Sequence, residues 1–437
     1  MKGDDVTNTL GFCVRSSAWV GVLCALATGG TCPAAAPILH FGSEPLRQQL
    51  VTSEKTDNNP NPLLSNAIYR EVPRQMVMLV AREEFGLSTR DEALLEPVNR
   101  QSEHFFRLDA PAWFHKSITL KVSHRGEEIY ACEVKARPPS IESVYHAADR
   151  FYAQSRAPLI KVFEEAGYKR KADRKAAEST PLPDQVGAWL LTMDHPTQFR
   201  AVREIHRLIR EEGESAARLS GLVRGYANLS QLTMYTFDAR SDAFAARALL
   251  YSERLAALAP DSPESGWSAA YMSTLIGYPT WTIKAMKAAK ELCGADGEPP
   301  EWAALVDAYS RYQTGELTSV AIDEEHPLRG LAALLWFRAS MHSNSFSVMA
   351  ETGREVMRAI PNCLWVVDAL AERAGVSYGH MIHRYAPRAH AEQLAHVLAD
   401  WPGLPDEAAG LVGGRRREPH ARQPRGDRQR VDRRRRR

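Results

Sequence analysis

Two periodicities of apolar and polar residues divide this chain. Between Trp113 and Val134 the period is two. In Ser117–Ser123 (SITLKVS), Ile118, Leu120 and Val122 share one face, and Glu128–Val134 returns with Tyr130, Cys132 and Val134 on its apolar side. The intervening His124-Arg125-Gly126-Glu127 supplies a glycine able to take positive φ, as a tight hairpin requires. One hairpin is marginal in water, so it must pack on helices or pair with another strand. Elsewhere the period is near 3.6. Leu64, Ile68, Val72, Met76, Leu79 and Val80 predict a helix over Leu63–Phe85, which Pro73 should divide or kink near Val72. A long helix is expected from Ile141 toward Ala177, bent near Pro158. Further helices should begin near Thr197, Ser215, Asp242, Gly266, Trp281, Glu301, Leu328, Ser347, Leu364 and Ala389. Short turns containing Pro, Gly or Asp-Ser join them, the pattern of stacked antiparallel helix pairs.

Prolines at 263, 300, 327 and 361 mark three intervals spanning 98 residues, about 33 each. Trp267, Trp302 and Trp336 fall at similar separations, although their offsets from the prolines differ. The stretch SDAFAARALLYSERLAALAPDSPESGWSAAYMSTL, from Ser241, resembles the second helix of a tetratricopeptide repeat followed by the first helix of another. With Pro260 ending the helix, Ala248 stands at the family's small packing position, and Trp267, Ala270 and Tyr271 fall at its tryptophan and leucine-glycine positions. Ser252 and Leu255 depart from the pattern, and Pro361 ends a second such helix 101 residues after Pro260. The resemblance covers Ser215–Ala399. It implies a mainly α fold: an α-solenoid of tetratricopeptide-like helix pairs, behind a small N-terminal α+β unit with one β-hairpin. The expected organisation is a signal peptide over 1–36, a linker over 37–62, the α+β unit over 63–138, the repeats over 141–405 and a disordered tail over 406–437.

Charge sharpens the two ends. The formal net charge is only +2, yet Arg415–Arg437 holds twelve Arg against Glu418, Asp427 and Asp432. That tail is +9 and the rest of the chain −7. With only Ala421 and Val431 as apolar residues it should not fold alone, and it could attract anionic polymers, nucleic acid included. No aromatic residue interleaves with its arginines, so it offers no stacking platform. A shifted reading frame after Pro405 would look the same. At the other end, Ala18–Ala27 (AWVGVLCALA) has the length of a signal h-region, and Ala34-Ala35-Ala36 gives an A-x-A site before Pro37. Export to the periplasm or outside is expected, with lipidation at Cys32 as the lesser alternative. No transmembrane helix is expected in the mature chain.

Candidate chemistry is sparse. Cys132, Cys293 and Cys363 would remain after cleavage, and none forms a CxxC pair. His380 and His383 share a helix face but lack a third ligand at telling spacing, and HExxH is absent. Neither a metal nor another cofactor is expected. Asp194-His195-Pro196 and Asp323-Glu324-Glu325-His326-Pro327 sit where acids favour a helix N-terminus. No nucleophile elbow, P-loop or dinucleotide fingerprint occurs. These features fit an exported, non-enzymatic scaffold binding a protein or peptide. Arg224, Asn228, Tyr271 and Tyr309, on or near first helices of pairs, are its candidate contact residues. Some tetratricopeptide proteins hold a peptide carboxylate with a basic residue and an Asn spaced like Arg224 and Asn228; Gly225 is out of register for that motif. The alternatives are an envelope enzyme working between the N-terminal unit and the repeats, and an anionic-polymer binder acting through the tail.

Overall fold

The computed structural model describes residues 37–42, 62–91, 97–110, 112–113, 117–135, 141–171, 180–234, 240–277, 279–294, 297–342, 345–361, 363, 365–366 and 369–370. The expected signal segment, the Arg-rich tail and His380, His383, His390 and His396 lie outside these.

The N-terminal unit is a mixed sheet. Its strands are β1 (Ile38–Gly42), β2 (Ser88–Asp91), β3 (Phe105–Asp109), β4 (Ala112–Trp113), β5 (Ser117–His124) and β6 (Glu127–Lys135). β1 runs parallel to both β2 and β3, and β3 is antiparallel to β5. β3 and β4 lie end to end along one edge of β5 in a single register (Asp109 opposite Lys121, Ala112 opposite Ile118), and β6 pairs with β5. The expected hairpin is therefore one corner of a larger sheet. Its loop places Arg125 at φ 53° and Gly126 at φ 87°, the paired left-handed residues of a two-residue turn. Residues 38–42, read as linker, form a strand inside the sheet, with Leu39 and Phe41 fully buried.

Helix α1 (Pro62–Glu83) packs against β2, β4 and β5 on one side and a later helix on the other. It runs through Pro73 without a break, and α2 (Ile141–Glu165) likewise contains Pro158. A helix-interior proline costs about 3 kcal/mol, whereas each buried large apolar side chain returns about 1.5–3 kcal/mol. Around Pro73, Val72, Met76, Val77, Met78 and Val80 are all buried, enough to hold the helix together.

Among the described residues ten more continuous helices follow: α3 (Asp184–Leu191), α4 (His195–Glu212), α5 (Ala216–Leu232), α6 (Arg240–Leu258), α7 (Pro263–Ile276), α8 (Pro279–Cys293), α9 (Ala303–Ser310), α10 (Thr314–Ile322), α11 (Arg329–Ser340) and α12 (Phe346–Ala359). Side-chain caps begin several: Asp194 accepts from the Thr197 amide, Ser215 from that of Arg218, Ser262 from that of Glu264 and Ser345 from that of Val348. Each helix packs on its successor from α3 to α12, and α3, α5, α7, α9 and α11 also form a row, each touching the next. Residues of α5, α7 and α11 are buried over most of their surface, so the row is the centre of the array. Gly266 permits part of this closeness: a Cβ there would lie 2.8 Å from the Cβ of Ala289 and 3.0 Å from its backbone. The units are unequal. The helices of the row begin at residues 184, 216, 263, 303 and 329, so their spacing runs 32, 47, 40 and 26 residues instead of holding near 33.

Candidate functional site

The four residues nominated from sequence divide between two interior contacts. Tyr271 Oη donates to Asn228 Oδ1 at 2.7 Å, and Asn228 Nδ2 donates to the Leu190 carbonyl at 3.3 Å. The Tyr271 ring stands edge-on to Trp302, with centroids 4.8 Å apart. Burial pushes its phenol up to about 12. Arg224, one turn before Asn228, faces Tyr271 and Glu301, and its Nε is buried with no hydrogen-bond partner. Burial holds its guanidinium below the usual arginine range. Tyr309 lies elsewhere, beneath the Arg338 guanidinium at 5.9 Å. Arg338 reaches across the row, donating to Gln231 Oε1 of α5 at 3.3 Å and to the Leu275 carbonyl of α7. Asn228, Tyr271 and Tyr309 are only 0, 3 and 5% exposed, so their polar and aromatic groups are used in packing the central row. Arg224 alone keeps partial exposure.

The two acidic turns preceding prolines come together as the walls of a polar pocket of about 240 Å³. Asp194, Glu324, His326, Arg329 and Arg358 line it, yet most of their polar groups have structural work. Asp194 caps α4 through the Thr197 amide and hydroxyl. His326 Nδ1 accepts from the Leu328 amide at 3.1 Å, and Arg329 Nε donates to the Ala321 carbonyl at 3.2 Å. The expected acid cap is found at Asp194 but not before α11, whose N-cap is Leu328. Asp323 instead accepts from the Glu325 amide within the turn.

Sequence reasoning missed the densest polar cluster, at the junction of α1 with the array. Glu83, at the end of α1, accepts from Tyr251 Oη at 2.5 Å and from Arg254, both on α6. Arg254 also grips Glu214 with two nitrogens, Nε at 3.0 Å being one of them. About two helical turns back along each helix, Arg247 Nε donates to Gln75 Oε1 at 2.8 Å and Gln75 Nε2 to Glu71 at 3.0 Å. Arg74 donates to Asp91 at 2.6 Å, tying α1 to β2. Burial holds the Glu83 carboxyl above its ordinary range, although Arg254 opposes this. The signal was present in α6: Arg247, Tyr251 and Arg254 form a polar stripe at helical spacing on a face otherwise rich in Ala and Leu.

A different kind of surface lies between α8 and α9. Ile283, Met286, Lys287, Lys290 and Glu291 from α8, with Asp307 and Arg311, line a half-open pocket of about 430 Å³. Met286 is its buried floor, and Ile283 is 49% exposed at its edge. Lys290 pairs across it with Asp307 at 3.7 Å, while Arg311 with Asp307 at 3.0 Å and Lys287 with Glu291 at 3.8 Å pair one turn apart along their own segments. Three cations face two carboxylates. Among the described residues no group of three His, Cys, Asp or Glu could hold a metal ion, and no helix is long and apolar enough to cross a membrane. Cys132, Cys293 and Cys363 are free thiols. No protein-family model matches this sequence, and no curated protein matches it.

Proposed function

We propose that this chain is an exported, non-enzymatic helical-repeat scaffold whose α8–α9 groove holds a short segment of a protein partner. The row of first helices, each touching the next while second helices flank it, supports a strongly wound, tetratricopeptide-like solenoid. Such winding fills the inner face, which moves recognition outward. The observation that carries the reading is the groove itself: an apolar floor at Met286, with Ile283 at the edge, inside a charged rim with one cation in excess. That arrangement suits an apolar side chain next to a carboxylate, the anchor buried and the charge on the rim.

Envelope extract passed over the mature chain and over its Ile283→Asp variant tests this. A partner retained by wild type and depleted at least tenfold by the variant, with unchanged unfolding midpoints, is the expected outcome. Equal retention by both would remove the groove from the account. The alternative, an envelope enzyme acting at the α1 junction, is favoured by the convergence there of Glu83, Tyr251 and Arg254. It replaces the scaffold reading if no partner is recovered and the purified chain turns over an envelope substrate. Export carries its own expectation: N-terminal sequencing of envelope-fraction protein should begin at Pro37. A cytosolic chain beginning at Met1 would contradict it, and a lipidated Cys32 would favour the lipoprotein form.

A further inference from the structure

Arg224 is a largely buried cation without an ion-pair partner among the described residues. On α5, Ser220, Arg224 and Asn228 follow one another at four-residue spacing and share one face. α7 meets that face at two points: Ser268 Oγ donates to Ser220 Oγ at 2.9 Å, and Tyr271 Oη to Asn228 Oδ1 at 2.7 Å. Arg224 therefore stands between two interhelical hydrogen bonds, and its Nε is buried with no acceptor. The groups it faces are Tyr271, whose phenol is neutral, and the exposed Glu301 just before α9. Two more donors beside Tyr271 are in the same condition. Trp267, one turn earlier on α7, and Trp302, at the start of α9, are 4% and 3% exposed, and the Nε1 of each is buried without a partner. Trp302 stands edge-on to both Tyr271 and Trp267, at centroid distances of 4.8 and 6.4 Å. A guanidinium N–H and two indole N–H groups thus lack acceptors around one aromatic cluster, a costly arrangement for a fold to bury unanswered.

We propose that Arg224, with the Trp267 and Trp302 indoles, binds a small monovalent inorganic anion of the chloride and nitrate class. One guanidinium matches one negative charge. A dianion such as sulfate would keep a charge uncompensated in a buried place near Glu301, and it gives up its hydration at far greater cost. The indoles add neutral N–H donors, which a weakly hydrated ion accepts without a strict direction. Trp267, Tyr271 and Trp302 are all packed into the interior, so a compact ion suits the place better than an organic acid. The site shares no residue with the α8–α9 groove. A bound anion there would tie α5, α7 and α9 together at the centre of the row, making the stability of the array depend on it.

Thermal unfolding of the full chain at constant ionic strength, with sodium gluconate replaced stepwise by chloride, nitrate or sulfate, tests this. The midpoint should rise and level off with chloride and with nitrate, as binding to the native state requires. Sulfate, acting through its exclusion from the protein surface, should give a rise that does not level off. Chloride NMR reads the ion itself: wild type should broaden the line, and Arg224→Met should weaken this binding about tenfold or more, the worth of a charge-assisted hydrogen bond. Trp302→Phe keeps the ring and removes the donor, and should weaken it roughly threefold. In gluconate alone Arg224→Met should unfold no earlier than wild type, because it removes a buried charge that nothing answers. Absence of a levelling response to chloride, or line broadening that Arg224→Met leaves intact, would overturn the proposal. So would a loss of stability in Glu301→Gln together with indifference to chloride, which would make Glu301 the counter-ion.

Discussion

Replacing Arg254 with Ala should destabilise the protein by about 3 kcal/mol, because it leaves the partly buried Glu83 and Glu214, 10% and 18% exposed, without their cation. The pair itself need not be a large net stabiliser, since both partners lose hydration on burial; breaking it exposes that desolvation cost uncompensated. Arg254→Lys should lose less, keeping the charge but not the fork that spans two carboxylates. Glu83→Gln should be milder still, because an amide oxygen can accept from Tyr251 and Arg254 without burying a charge. Urea unfolding followed by far-ultraviolet circular dichroism gives the order Ala, Lys, Gln from largest to smallest loss. Equal, small losses for all three would mean that the junction carries little of the stability.

Phe106→Ala in β3 should cost a comparable 3–5 kcal/mol, by a different route. Phe106 is fully buried, stacks on His124 at 4.4 Å, and lies within 5.4 to 6.1 Å, centroid to centroid, of Phe41, Phe163 and Tyr168. Those rings come from β1, β5, α2 and the segment following α2, so the vacated space sits where four parts of the chain meet. Little can collapse into it. Thermal unfolding should show a clear fall in the midpoint, and a ring-sized apolar solute such as benzene should partly restore it. A loss below about 1 kcal/mol would show that the sheet repacks freely.

Strong amphipathic period made α4 and α12 legible to within a few residues, side-chain caps did so for α5 and α7, and α6, α8 and α11 were legible from the turns that bound them. Ser215 and Ser345 mark starts that the sequence states locally. What escaped reading depends on distant partners. β1 is five residues long and has no turn signal; Leu39 and Phe41 mean strand only because β2 and β3 flank them. α3 and α10 are eight and nine residues long, too short to display a period. Pro73 and Pro158 read locally as breaks; burial around most of α1 and along one face of α2 overrides them. The candidate contact residues show the same limit. Helical spacing set Arg224 and Asn228 one turn apart and Tyr271 on another first helix, but could not tell an open inner face from a filled one. The groove drew no notice, because Ile283 and Met286 read as ordinary helix face until α9 is seen beside them.

The central claim is that the α8–α9 groove recognises an apolar residue next to a carboxylate. Peptide display against the immobilised mature chain tests it most directly, with counter-selection on Ile283→Asp. Enriched peptides should share an apolar anchor beside Asp, Glu or a C-terminal carboxylate, and should bind the variant at least tenfold more weakly. Absence of enrichment, or peptides that bind both proteins equally well, would contradict the account.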